Sequence, residues 1–212
     1  MASILVEGCV EHLEGALRAE AAGCGRIELC VSLPEGGVTP SVGLIAGCVE
    51  ALSIPVHVLV RPRGGDFVYS TREIDVIYRD LMACKTAGAA GVVIGMLTAD
   101  GTIDIARVRE AVQAARPLTV GFHRAFDQLG DPLGALEELI DAGVSIVLTS
   151  GGAAPAADGA ARLRALVNAA GDAATILAGG KVTASNARAL VDATGVRAVH
   201  ASNYHGLASA LS

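Results

Sequence analysis

Glu7 and Cys9 stand two residues apart, and so do Glu28 and Cys30. On an extended chain, side chains i and i+2 share a face, so each short apolar run offers a carboxyl and a thiol on one side. By the same rule His57, Arg61 and Arg63 share a face, as do His200 and Ser202. A carboxyl or an imidazole held in a protein interior can move protons or ligate a divalent ion. His123, followed by Arg124 and Asp127, has an ordinary pKa near neutrality that suits it to proton transfer. Glu7, Glu28 and His123 are therefore the candidate catalytic groups. Arg61, Arg63, Arg124, Asp127, His200 and Ser202 are candidates for holding a small anionic or phosphorylated ligand. Glu7 or Glu28 with Arg61 is the expected ion pair, because charges buried in such a place need partners. His57 is expected to be a hydrogen-bonded interior histidine.

Two glycine pairs add to this set, in Thr149-Ser-Gly-Gly152 and Ala178-Gly-Gly-Lys181. Glycine lets a backbone N–H approach a phosphate closely, which makes Thr149, Gly151, Gly179 and Gly180 candidate ligand contacts; tight turns also require glycine. Cys9 and Cys30 would end adjacent strands, whose backbones lie about 4.8 Å apart. Two thiolates there could hold a soft ion such as Cu(I). The alternative is that both are small buried apolar residues, the usual state of a free cysteine.

Elements must bring these residues together. Apolar, β-branched runs of strand length recur at 4–7, 26–30, 56–60, 91–95, 118–122, 145–149, 175–178 and 197–200. Between them, Ile74, Ile77, Tyr78, Leu81 and Met82 follow helical spacing, as do Leu136, Leu139 and Ile140, and Leu163, Leu166 and Val167. The alternation predicts a parallel sheet with crossover helices. A small residue followed by Gly23, Gly88, Gly143 or Gly195 precedes the second, fourth, sixth and eighth runs, as expected where glycine ends a helix. Eight such units with no long linker predict an α/β fold: a single-domain TIM (β/α)8 barrel over 1–212, with a doubly wound open sheet as the alternative. In a TIM barrel the C-terminal strand ends carry the site, and the candidate residues fall there. Val6, Ile27, Leu29, Val58 and Val60, on the opposite faces, are expected to pack on the helices.

Composition narrows the function. The chain has 212 residues, 52% of them hydrophobic, and a net charge of −6, which excludes a disordered chain. Basic residues are scattered and tryptophan is absent, which argues against nucleic acid as a partner. The longest uncharged stretch, 142–157, contains Ser, Thr, Pro and three glycines, so no membrane span is expected. The N-terminus lacks the basic and apolar regions of a signal peptide, and a cytoplasmic location is expected. Five cysteines, an odd number with no C-x-x-C, give neither a disulfide framework nor a structural zinc knuckle. Cys48 and Cys84 fall on predicted helices, and Cys24 on a turn. His12 and His205 read as surface residues.

Six segments together carry a family likeness. Arg26-Ile-Glu-Leu-Cys30, Gly36-Gly-Val-Thr-Pro-Ser41, Pro55-Val-His57 with Arg61-Pro-Arg-Gly-Gly-Asp-Phe67, Phe122-His-Arg-Ala-Phe-Asp127 and Leu148-Thr-Ser-Gly151 resemble the CutC family of copper-homeostasis proteins. The resemblance runs from the first strand to the last. It implies a cytoplasmic TIM barrel, often a homo-oligomer, named for copper tolerance and proposed to bind copper. Cys9 and Cys30 match the family's cysteines after the first two strands, and Glu7, Glu28, Arg61, His123, Arg124 and Asp127 match its positions at the barrel mouth. Two positions depart from the pattern: Val10 replaces a second cysteine, and Lys181 replaces a third loop glycine.

Two functions follow. One is a copper protein in which Cys9 and Cys30 hold Cu(I). The other is an enzyme of unestablished reaction that acts on a small anionic metabolite by acid–base or divalent-metal chemistry. A two-thiolate carrier needs no Glu, His and Arg around its thiols, and that surplus of charge favours the second.

Overall fold

A computed structural model describes residues 3–212. Its order is β1 (Leu5–Val10), α1 (Leu13–Ala21), β2 (Arg26–Leu29), α2 (Val42–Ala51), β3 (Val56–Leu59), α3 (Thr71–Thr86), β4 (Gly91–Ile94), α4 (Ile105–Ala115), β5 (Thr119–Phe122), α5 (Pro132–Asp141), β6 (Ile146–Thr149), α6 (Ala160–Ala170), β7 (Thr175–Gly179), α7 (Ala187–Thr194), β8 (Ala198–Ala201) and α8 (Leu207–Leu211). All strands are parallel, and β1 pairs with both β2 and β8, so the sheet closes into the expected TIM barrel. Each strand falls on one of the eight apolar runs. β1 extends three residues further than expected and carries Cys9 inside the sheet. Cys48 lies on α2 and Cys84 on α3.

Both faces of each strand are buried, which is why the runs read as nearly continuous apolar sequence. Val6, Ile27, Leu29, Val58 and Val60 face outward and join the main core with Ile45, Ile77, Leu81 and Leu163 from the helices. Gly23, Gly88, Gly143 and Gly195 all have positive φ where a helix turns into a strand, so the repeat seen in the sequence is a repeated helix stop. Ser70 caps α3 through a capping box with Glu73.

The barrel interior is divided. One apolar cluster holds Ile146, Leu148, Leu177 and Ala198, with Leu5 packed against it. A second holds Cys9, Cys30, Leu59 and Val93. Between them runs a buried polar set from β1, β2, β3 and β8: Glu7, Arg26, Glu28, His57 and His200. No described helix is long and apolar enough to cross a membrane.

Candidate metal and anion site at the barrel mouth

The strand register builds the polar set. Glu7 lies opposite Arg26 on β2 and His200 on β8. Arg26 Nε donates to Glu7 Oε2 at 2.5 Å, and His200 Nδ1 lies 2.8 Å from Glu7 Oε1. On its other side, His200 Nε2 is 3.9 Å from Glu28 Oε2. The result is a file of alternating charge, Arg26–Glu7–His200–Glu28, almost shut off from solvent. Burial alone would raise the Glu7 carboxyl, but the hydrogen bond and charge of His200, with help from Arg26, hold it well below the usual range. Burial works against a charged His200, yet the two carboxylates outweigh it and raise its pKa. Burial pushes the Glu28 carboxyl upward, and the charge of His200 offsets this only in part.

Above this file sit the thiols. Cys9 Sγ is 3.7 Å from Cys30 Sγ and 3.7 Å from Glu28 Oε2. The contact with Cys30, then burial, then the charge of Glu28 push the Cys9 thiol far above its ordinary pKa. Cys9, Glu28 and His200 each offer one ligand atom, and the three atoms lie within 4.8 Å of one another.

The facing wall is cationic and aromatic. Arg61 and the His123 ring each lie 4.8 Å from the Phe67 ring centre. His123 Nδ1 accepts the Ala125 N–H at 3.1 Å, so the neutral ring carries its proton on Nε2, which is buried and has no partner. Burial, and then the charge of Arg61, push its pKa down to about 3. His123 is thus a neutral hydrogen-bond donor at physiological pH, which differs from the expected neutral-range acid–base group. Cys9, Glu28, Cys30, Arg61, Phe67, His123, Arg124 and His200 all line one cavity of about 120 Å³.

Several expected residues lie elsewhere. Arg61 pairs with neither Glu7 nor Glu28. Its Nη atoms donate to the carbonyls of Glu35, Gly37 and Gly65, tying together the loops after β2 and β3, while Glu7 takes Arg26 from the adjacent strand instead. Arg63 turns outward to Asp66 and Glu73. Ser202 is exposed beyond β8 and lines no part of the cavity. His57 faces the other end of the barrel against Gly91, with Nδ1 unpartnered rather than hydrogen-bonded. Burial and Arg26 lower its pKa to about 4.

The loop after β6 is filled by the chain itself. Asp127 accepts from the Thr149 hydroxyl, the Ser150 N–H and hydroxyl, the Gly152 N–H and Arg124 Nε. Gly151 N–H goes to Thr149 Oγ1. The two groups expected to meet an external anion there are already taken, the Thr149 hydroxyl by this carboxylate and the Gly151 N–H by Thr149 itself. Gly179 leaves room for Leu148 and His200, and the Gly180 carbonyl accepts from Ala156.

The sequence alone assigns no role to Arg26, Phe67 or Gly95. The i, i+2 spacing of Arg26, Glu28 and Cys30 would have found the first. A Cβ on Gly95 would sit 2.1 Å from His123 Cε1, and no sequence signal marks that contact.

Comparison with known proteins gives a consistent result. The family described as the CutC family matches residues 4–205. A CutC family protein from Salmonella enteritidis is 47% identical over 198 residues, covering 93% of this chain and 79% of that one. A relative of the same name from Chromobacterium violaceum is 44% identical, covering 98% of this chain and 84% of its own. The crystal structure of CutC from Streptococcus agalactiae, named for copper homeostasis, superposes with a TM-score of 0.91 at 33% identity, covering 95% of this chain and 99% of that one. An aldolase matches with a TM-score of 0.73 at 15% identity, a likeness of fold alone.

Proposed function

The chain belongs to the CutC family, and from that membership and the barrel-mouth geometry we propose a copper-homeostasis protein that binds Cu(I) between Cys9 and Cys30. The observation that carries this reading is the pair of buried sulfurs 3.7 Å apart at the C-terminal end of the barrel. That spacing is a thiol–thiol contact, and a shift of a few tenths of an ångström would let both sulfurs hold one soft ion between them. Thiolate is the donor that favours Cu(I). The setting is the cytoplasm, where five free thiols stay reduced, and the expected assembly is a homo-oligomer, for which sedimentation is the check.

The test is competition for Cu(I) against a chelator, using reduced protein and the Cys9→Ala/Cys30→Ala double variant. One tightly held ion, lost in the variant, supports the reading. Equal binding by both proteins refutes it.

A second reading rests on the other wall. An unpartnered His123 Nε2 and the Arg61 guanidinium, which has no carboxylate partner, share the cavity with Glu28. A small anionic metabolite placed there meets a cation, a neutral donor and a carboxyl able to exchange a proton. The cavity's size restricts that ligand to a few heavy atoms. Equilibrium dialysis of small carboxylic and phosphorylated acids, with His123→Gln as the control, tests it; no uptake, or equal uptake by the variant, would refute it.

A further inference from the structure

The donor atoms at the mouth are not only sulfur. Cys9 Sγ and His200 Nε2 lie 3.7 and 3.9 Å from Glu28 Oε2. Sulfur, oxygen and nitrogen ligands around one tetrahedral divalent ion, at about 2.3, 2.0 and 2.0 Å, stand about 3.3–3.5 Å from one another. The Cys9–Glu28 pair would contract by about 0.2 Å and the Glu28–His200 pair by about 0.6 Å to reach that spacing, and Cys9 Sγ and His200 Nε2, within 4.8 Å of each other, by at most about 1.3 Å. Cys30 is not part of it.

A second, independent observation comes from behind His200. Its Nδ1 bonds to Glu7 Oε1 at 2.8 Å, and Glu7 is in turn held by Arg26. A metal-bound histidine characteristically gives its other ring N–H to a carboxylate, which fixes the tautomer and aims the free nitrogen. Here that arrangement leaves Nε2 facing Glu28 and Cys9. The charges also close: one thiolate and the Glu28 carboxylate balance a dication, while Glu7 balances Arg26. A buried site needs that balance.

We propose that Cys9, Glu28 and His200 form a binding site for a divalent borderline cation of the Zn²⁺ class. Its fourth position belongs to a water or a small oxyanion from the cavity. Three protein ligands with one exchangeable position characterise catalytic rather than structural zinc sites. The cavity opposite supplies the unpartnered His123 N–H to such a ligand. The site shares Cys9 with the two-sulfur position, so Cu(I) and the dication compete. It does not depend on the copper reading.

The experiment is a titration of reduced, metal-free protein with Co²⁺, read by visible ligand-field bands and a near-ultraviolet sulfur-to-cobalt band, followed by displacement with Zn²⁺. The expected result is one equivalent bound, with the sulfur band lost in Cys9→Ser and retained at similar affinity in Cys30→Ala. Glu28→Gln should weaken Co²⁺ by at least about tenfold, and Glu7→Gln, which only orients His200, by about 10–100-fold. Circular dichroism confirms that each variant is folded. A parallel Cu(I) titration of Cys30→Ala separates the two ideas. If Cu(I) is lost and Co²⁺ kept, both positions exist. If Co²⁺ is lost as well, the three-ligand site is overturned and the two-sulfur site stands. If Cu(I) is unaffected there, the copper reading fails while the cobalt result stands on its own. No Co²⁺ uptake, or uptake indifferent to Glu28→Gln and Cys9→Ser, also overturns the proposal.

Discussion

Replacing Asp127 by alanine tests whether this carboxylate holds the fold or holds a ligand. In the structure it accepts from the Thr149 hydroxyl at 2.5 Å, from the Ser150 N–H at 3.1 Å and hydroxyl at 2.8 Å, and from the Gly152 N–H at 3.1 Å. Thr149 and Ser150 are 1% and 0% exposed, so two residues' donors lose their acceptor where water reaches poorly. At about 1–3 kcal/mol for each orphaned buried donor, and allowing for a water entering the vacated space, the expected loss is about 3 kcal/mol. For a chain of this length that lowers Tm by about 6–12 °C. Urea unfolding and a thermal scan measure it, with Thr149→Val, which removes one donor to Asp127 and the acceptor of the buried Gly151 N–H, expected at about 2–3 kcal/mol. The effect also depends on pH. Burial alone would raise the Asp127 carboxyl, but the bonds from Thr149, Arg124 and Ser150 hold it below its ordinary value. The charged form is therefore the stabilising one. Its contribution is complete above the unfolded pKa of about 3.9 and drains away as pH falls through the lower folded value, so wild type and variant should converge in acid. A Tm within about 2 °C of wild type at neutral pH, equivalent to less than about 1 kcal/mol, would show that these bonds do not hold the loop and return Asp127 to the ligand set.

Three other outcomes are expected. Gly95→Ala places a methyl 2.1 Å from His123 Cε1; it should cost about 1–3 kcal/mol as overpacking and shift the His123 ring resonances, and unchanged NMR signals would contradict the close contact. Arg26→Met leaves Glu7 with His200 as its only cation, and loss of one partner from a buried pair costs about 3–5 kcal/mol in urea unfolding; a loss below about 1 kcal/mol would show that His200 alone suffices. Arg63→Ala removes solvent-facing bridges to Asp66 and Glu73, so stability should change by no more than about 1 kcal/mol and metal titrations should match wild type; weakened metal binding would place Arg63 back at the mouth.

The fold was legible because its signals are local. Eight apolar runs, helical spacing between them and a glycine at alternate helix ends each follow from short-range chemistry. Repetition left only the choice between a closed and an open sheet. The thiols were also legible, since the i, i+2 rule places Cys9 beside Glu7 and Cys30 beside Glu28 on inward faces.

Partner choice was not legible. Arg26 on β2 and Arg61 just past β3 both stand near carboxylates, and nothing local ranks them. The register does: Glu7 lies opposite Arg26, while Arg61 stands at the strand end among loop carbonyls. Asp127 and the Thr149 loop look like an anion site by residue type, yet they satisfy each other across the β5–β6 boundary. His123 is neutral because Gly95, Phe67 and Arg61 surround it, and all three come from other strands and loops. Strands, helices and the inward or outward turn of each side chain follow from local sequence, because they depend on neighbours a few residues away. Which inward groups pair, which titrate away from their ordinary range and which three donors meet are set by the folded barrel. Those outcomes depend on distances between strands up to 193 residues apart in the chain, as for His200 and Glu7.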